Sequence, residues 1–179
     1  MDDKSASETL FCVLELLEIF RIRKEETYKT ICAAAGLAYG QKVGAESAVD
    51  INLAKQLNVL IGQMGLAASN VVMNLGSAAA GYGFEYVVST YDRVKAAALS
   101  QNDVNLQIPT ISPVSFETWN VKESVMAEAD MPEWGDREDR AINMEVVTAS
   151  SCLAAGTNAV ILRHPTSVKT IAAMIKELA

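Results

Sequence analysis

The sequence predicts an α/β fold with a four-stranded parallel sheet. Three observations carry that expectation. Short apolar runs alternate with amphipathic stretches, giving a helix and then four strand–helix repeats. One of these runs, NAVILRH (158–164), is almost continuously apolar, as strands buried on both faces are. Half of the 179 residues are hydrophobic, enough for a single domain with a proper core.

The elements follow in order. Residues 25–39 (EETYKTICAAAGLAY) are helix-like, and Gly40 stops them. KVGAES (42–47) is the first strand. In the next helix, 48–65, Ile51, Leu53, Ala54, Leu57, Leu60 and Ile61 recur at helical spacing, and Asp50 sits where a cap belongs. NVVMN (70–74) is the second strand. The helix 84–101 places Tyr86, Val87, Thr90, Tyr91, Val94 and Ala98 on one side. QIPTIS (107–112) is the third strand, although Pro109 is unwelcome inside a sheet. An irregular stretch follows, with a short helix around Phe116 to Lys122. The helix 136–156 opens on Asp136, carries Glu138 and Asp139 at its positive end and closes on Gly156. The fourth strand is 158–164, and Pro165 starts the last helix. Crossovers between parallel strands are right-handed, so either an open doubly wound sheet or a piece of a (β/α)8 barrel fits. In both, function gathers at the carboxyl ends of the strands.

Charge and cysteines narrow the function. The net charge is −7 with no cluster of Lys and Arg, which disfavours nucleic acid and anionic membranes as partners. No apolar run approaches the ~20 residues that span a bilayer. The start, Met1-Asp2-Asp3, lacks the positive charge of a signal peptide, so the expected location is the cytoplasm. Cys12, Cys32 and Cys152 are far apart and form no CxxC pair, so no zinc or iron–sulfur site is expected in this chain.

The candidate residues lie at the strand ends. The loop 74–83 contains Gly76, Gly81 and Gly83 and opens into a helix, in the manner of a phosphate-cradling turn. However, GYGFEY (81–86) has Tyr86 where a dinucleotide fingerprint needs a small residue. A structural loop using glycine for positive φ, or a loop presenting backbone to a partner, fits better. His164 is the one histidine, read as a hydrogen-bonded structural residue or as a strand-end catalyst. Arg163 could hold an anion at the following helix or pair with an acid. Trp119 and Trp134, in the irregular stretch, suit an interface.

Four segments share a resemblance: YKTICAAAGLAYGQKVGAES, VDINLAKQLNVLI, AGYGFEYVVSTYDRVKAAAL and AVILRHPTSVKTI. In this order and spacing they resemble the small (delta) subunit of the corrinoid iron–sulfur protein of the CO dehydrogenase/acetyl-CoA synthase system. VDINLAKQLN (49–58), GYGFEY (81–86) and RHP (163–165) are the most specific parts. The resemblance implies the second half of a TIM barrel over residues 28–179, with residues 1–27 as a non-matching helical segment. It implies an accessory subunit of a methyl carrier in the acetyl-CoA (Wood–Ljungdahl) pathway. A large partner subunit would carry the corrinoid and the iron–sulfur cluster. Acetyl-CoA synthase and a pterin methyltransferase would be further partners. Carried over residue by residue, Ser47, Asp50, Asn52, Asn74, Gly81, Tyr82, Gly83, Arg163 and His164 would form the face that meets the corrinoid domain or its ligand. No catalytic and no metal-ligating residue is expected.

Two departures stand out. Asn74-Leu75-Gly76 occupies the place where the family usually reads Asp-Pro-Thr, so an acid there has become an amide. Half a barrel also leaves open sheet edges, which predicts pairing with another copy or with a separately encoded first half, or closure into a small four-stranded sheet covered by the N-terminal helix. The competing readings are a pterin-dependent methyltransferase and an inactive truncated remnant.

Overall fold

The computed structural model describes residues 20–22 and 27–178. Its fold is α/β, with helices packed on small parallel sheets. Among the described residues five short strands run in chain order: β1 (Phe20–Ile22), β2 (Val43–Glu46), β3 (Val71–Asn74), β4 (Ile111–Ser112) and β5 (Ala159–Val160). The first three form one sheet, with Val43 opposite both Phe20 and Val71. The last two form another, with Ile111 opposite Ala159. A single parallel bridge between Met73 and Thr110 joins β3 to β4.

This corrects the expected four-stranded sheet. Residues Phe20–Ile22, read as part of a helical segment, add a strand to the first sheet. The rest of the expected N-terminal helix and Cys12 lie outside the described residues. Pro109 accounts for the break between the sheets. It has no N–H to offer a ladder, so only its carbonyl takes part, accepting from the Met73 N–H at 2.8 Å. Ahead of it the chain makes a 3₁₀ turn, Val104–Leu106, and β4 shrinks from six expected residues to two. The apolar run 158–164 likewise contributes only two strand residues. Among the described residues β5 has one neighbour, β4, and Ile161 is 37% exposed.

The helices match the apolar spacing more closely. Helix α1 (Tyr28–Ile31) continues as a π-helical stretch, Cys32–Ala38, and ends before Gly40 at φ +66°. Small residues here let the chain sit tightly, since a Cβ on Gly36 would lie 2.9 Å from the Leu66 methyls. Helix α2 (Ile51–Gln63) begins three residues later than expected. Asp50 caps it, its Oδ1 accepting from the Asn52 and Leu53 amides at 2.8 and 3.2 Å. Ala48 and Val49 precede it with φ of +47° and +67°, so neither can belong to a right-handed helix. Helix α3 (Phe84–Ser100) buries Val87, Thr90, Tyr91, Val94 and Ala98 as expected. Tyr86 is 69% exposed instead, in the first turn, where a Cβ added to Gly83 would lie 3.5 Å from its ring.

The irregular stretch holds two short helices in place of one, α4 (Val114–Thr118) and α5 (Lys122–Val125). Helix α6 (Arg137–Ala154) starts on Asp136, whose Oδ1 accepts from the Asp139 amide at 2.8 Å. Helix α7 (Pro165–Leu178) starts on its proline.

Three apolar clusters fill the space between helices and strands. One joins β2 to α1 and α2 through Val43, Leu57 and Ile61. A second joins β3 to α3 through Met73, Val87 and Tyr91. The third joins β5 to α6 and α7 through Val160, Ala149 and Ile171. Leu57 and Ile61 are fully buried, each contributing about 1.5–3 kcal/mol. A buried hydroxyl network ties α3 to the second sheet. Tyr91 Oη lies 2.7 Å from Ser112 Oγ and donates to Thr157 Oγ1 at 3.1 Å.

Candidate functional site

Parallel strands in chain order put their carboxyl ends on one edge, and hydrogen bonds extend the pairing past those ends. The Ser47 amide donates to the Asn74 carbonyl at 2.9 Å and the Val49 amide to the Leu75 carbonyl at 2.8 Å. On the second sheet the Ile161 amide donates to the Ser112 carbonyl at 2.9 Å. The turns after β2, β3, β4 and β5 therefore form one rim.

Ser47 and Asn74 are brought together but buried, at 1% and 5% exposure. Ser47 Oγ has no hydrogen-bond partner, while Asn74 Oδ1 accepts from the Gly76 amide at 3.0 Å. Asp50 and Asn52 are exposed at the head of α2, where the Asp50 carboxylate serves the cap. Just before Asp50 the backbone is strained, because Val49 is β-branched and has positive φ. Gly76 makes that turn possible. It has φ +92°, and a Cβ on it would stand 3.0 Å from Val49 Cγ2 and 3.2 Å from Val49 N.

Gly81 and Gly83 both take positive φ, +86° and +80°, with half-exposed Tyr82 between them. Gly83 is the N-cap residue of α3. The glycines thus serve a tight turn. The loop is held from α6 and α5. Thr148 Oγ1 accepts from the Ala80 amide at 3.0 Å, Ser77 Oγ lies 3.9 Å from Cys152 Sγ, and Tyr82 Oη donates to Glu123 Oε2 at 2.7 Å. That last bond raises the Tyr82 hydroxyl pKa and lowers that of the Glu123 carboxyl. Burial pushes the Cys152 thiol up, which suits a packing residue more than a nucleophile.

Arg163 and His164 are fixed by a residue that sequence reasoning missed. Glu145 is completely buried on α6, and its two carboxylate oxygens accept from the Arg163 amide at 2.6 Å and the His164 amide at 3.1 Å. The signal was present: Glu145 lies on the stripe Ala141, Glu145, Thr148, Ala149, Cys152, a charge among apolar and small residues. A carboxylate of the chain itself thus occupies the backbone donors at this turn. The Arg163 side chain lies 4.9 Å over the Trp119 ring, and among the described residues it makes no ion pair. His164 stacks on the other partner of that pair, with ring centroids 6.0 Å from Trp119. Both His164 nitrogens are engaged. Nδ1 accepts from the Thr166 amide at 3.1 Å and Nε2 meets Glu138 Oε1 at 3.1 Å. Both ring nitrogens thus serve contacts within the fold.

Among the described residues three carboxylates have lowered pKa. The Tyr82 hydroxyl holds Glu123 down, the Asp139 amide holds Asp136, and the Lys55 ammonium at 2.5 Å holds Asp103. A carboxyl lowered in the folded state contributes stability above its unfolded pKa and loses it as pH falls through the folded one. Urea midpoints are therefore expected to be flat near neutrality and to fall from about pH 4 downward. Asp136→Asn is expected to flatten that acid limb.

Among the described residues no three His, Cys, Asp or Glu side chains come together as a metal site, and no helix is long and apolar enough to cross a membrane.

Comparison with known proteins gives the family. The profile of the CO dehydrogenase/acetyl-CoA synthase delta subunit matches residues 19–172, so the likeness begins within the segment expected not to match. Subunit delta 2 of the acetyl-CoA decarbonylase/synthase complex of Methanosarcina acetivorans is 34% identical over 143 residues, 78% of this chain and 32% of the relative. The delta subunit from Methanocaldococcus jannaschii is 32% identical over 155 residues, 86% of this chain and 36% of the relative. That from Methanopyrus kandleri is 32% identical over 160 residues, 89% and 38% respectively. The chain spans about a third of the length of these relatives. With the matched residues running from β1 into α7, and through every turn of the rim, the chain belongs to the CO dehydrogenase/acetyl-CoA synthase delta subunit family.

Proposed function

We propose that this chain is a docking part of a corrinoid methyl-carrier assembly in the acetyl-CoA pathway, in the cytoplasm. The single observation behind this reading is the rim: four strand-end turns on one edge, in a chain of the delta subunit family. The partner would be a large subunit bearing a corrinoid and an iron–sulfur cluster, and the corrinoid's cobalt would carry a methyl group between a methylated tetrahydropterin and acetyl-CoA synthase.

The residues of the rim suit contact and shielding. Tyr82 and Arg163 present exposed side chains, and Asp50 and Asn52 border them. His164 has no nitrogen to spare for cobalt. The alternative of a pterin-dependent methyltransferase rests on Asn74 with Asp50 as a polar cradle. Their oxygens serve their own turns, so no specific observation favours it. An inactive remnant would be supported by expression that yields only insoluble chain.

We also propose that the five strands are part of a (β/α)8 barrel, since they are parallel and adjacent in chain order. The edge of β5 would then be covered by the remainder of the barrel or by a second copy. A clean monomer in light scattering, with all strands protected from hydrogen exchange, would contradict this. The docking reading is tested by co-expression with a corrinoid-bearing large subunit and gel filtration, following the corrinoid absorbance. The expected result is co-elution, weakened by Tyr82→Ala with Arg163→Ala. Separate elution of the two chains would contradict it.

A further inference from the structure

Among the described residues the helices cover one face of the sheets. Neighbouring strands follow one another in sequence, β1-β2-β3 and β4-β5, with the Met73–Thr110 bridge between the two sheets. Right-handed crossovers then put the connecting helices on one side. Val43, Ala45, Val71, Met73 and Val160 point to that side, where they share the three apolar clusters with α1, α2, α3, α6 and α7. Side chains alternate along a strand, so Gly44, Val72 and Ala159 belong to the opposite face. Ile111 belongs there as well, since its neighbour Ser112 reaches Tyr91 of α3. Ile161 continues the face beyond Ala159, while Leu162 packs on the helix side.

This second face is apolar across both sheets. Ile111 and Ala159 are only 4% and 9% exposed, yet neither is part of the three clusters. Val72 is half-buried and Ile161 is 37% exposed. Parallel sheets are covered on both faces, so an apolar face of this kind needs an occupant.

The chain carries a segment of matching chemistry next to it. Residues 8–19 lie outside the described residues, and the family match begins only at 19. Leu10, Val13, Leu14 and Leu17 recur at helical spacing, and Glu8, Glu15 and Glu18 fall on the other side of the same helix. Twelve residues of helix are about 18 Å long, the width of five adjacent strands at about 4.8 Å spacing. The segment runs directly into β1, at the edge of the first sheet. That tether gives it an effective concentration on the order of millimolar, well above that of a second copy in dilute solution.

We propose that residues 8–19 dock as an amphipathic helix on the face formed by Val72, Ile111, Ala159 and Ile161, and so mask it. Leu10, Val13, Leu14 and Leu17 meet the sheet, and the three glutamates face water. The remainder of a barrel would cover the same face, so the segment competes with it. The inference rests on the inner face of the strands and does not depend on the rim or on a corrinoid.

The test is NMR of the full chain with a nitroxide on Cys12, which lies on the glutamate side of the helix. Cys32 and Cys152 are buried and stay unlabelled. The expected result is loss of the Val72 and Ile161 methyl signals by paramagnetic broadening, with Leu99, exposed on α3, unchanged. Leu14→Glu with Leu17→Glu is expected to restore those signals while Leu57 and Ile61 keep their shifts. Unbroadened Val72 and Ile161 signals would overturn the proposal. So would broadening that survives the double variant. In a mixture where one chain carries the nitroxide and another the isotopes, broadening would make a second copy the occupant and would equally overturn it. Co-elution with a corrinoid-bearing subunit is read separately, so either reading can fail alone.

Discussion

Glu145→Ala is expected to destabilise the chain by about 3 kcal/mol. The carboxylate is wholly buried, and the two amides it accepts from are the ones that turn the chain out of β5. Hydrogen bonds to a charged acceptor contribute more than neutral ones, and truncation also leaves a cavity between α6 and the turn. Urea unfolding reads the loss as a drop in midpoint of about 1 M or more. Hydrogen exchange at Arg163 and His164 is expected to accelerate beyond the global change, because these amides lose their acceptor. Glu145→Gln keeps one acceptor oxygen and is expected to lose less. Unchanged stability and exchange in Glu145→Ala would show that the turn is held by Pro165 and the Trp119 stack alone.

The second large effect belongs to Gly76. Alanine there meets two penalties. A side chain at φ +92° costs about 1–2 kcal/mol, and the new Cβ presses on Val49 at 3.0 and 3.2 Å. Val49 cannot step aside, since its amide is bonded to the Leu75 carbonyl and its own φ is already positive. The expected loss for Gly76→Ala is about 3 kcal/mol. Gly81→Ala is the control. Its φ is +86°, but nothing lies within 4 Å of the added Cβ, so about 1 kcal/mol is expected. Equal losses at both positions would place the whole cost in backbone conformation and none in the contact between the two turns.

These two residues also show what the sequence made legible. Helical spacing was reliable where a helix has a broad apolar stripe: α2, α3, α6 and α7 lie close to where the periodicity puts them. Caps were readable for a local reason, since Asp50 and Asp136 bond amides two or three residues away. Strands were not readable to the same degree. The run 158–164 predicts a seven-residue strand, yet pairing depends on neighbours distant in sequence, and β5 has only the two-residue β4 beside it. Phe20–Ile22 is a strand because β2 is there to pair with it, which no local pattern announces.

The candidate residues divide in the same way. Chain order was enough to put Asn74, the Gly81–Gly83 turn and Arg163–His164 at strand ends. What holds the loop 77–83 and Arg163–His164 comes largely from α6, through Glu138, Glu145, Thr148 and Cys152, at separations of 18 to 75 residues, while Asn74 serves its own turn. Asp50 and Asn52 proved to be parts of one cap, and Ser47 a buried hydroxyl under the rim. The comparison with known family members supplied the family assignment, which the local chemistry of the rim does not carry.

The most direct test of the rim as a docking surface is a hydrogen-exchange footprint of the full chain, alone and with a corrinoid-bearing large subunit. The account predicts new protection in residues 47–52, 77–83 and 161–164, all at the carboxyl ends of the strands. Protection confined to the opposite strand ends, around residues 40–43, 67–71 and 107–110, would contradict it.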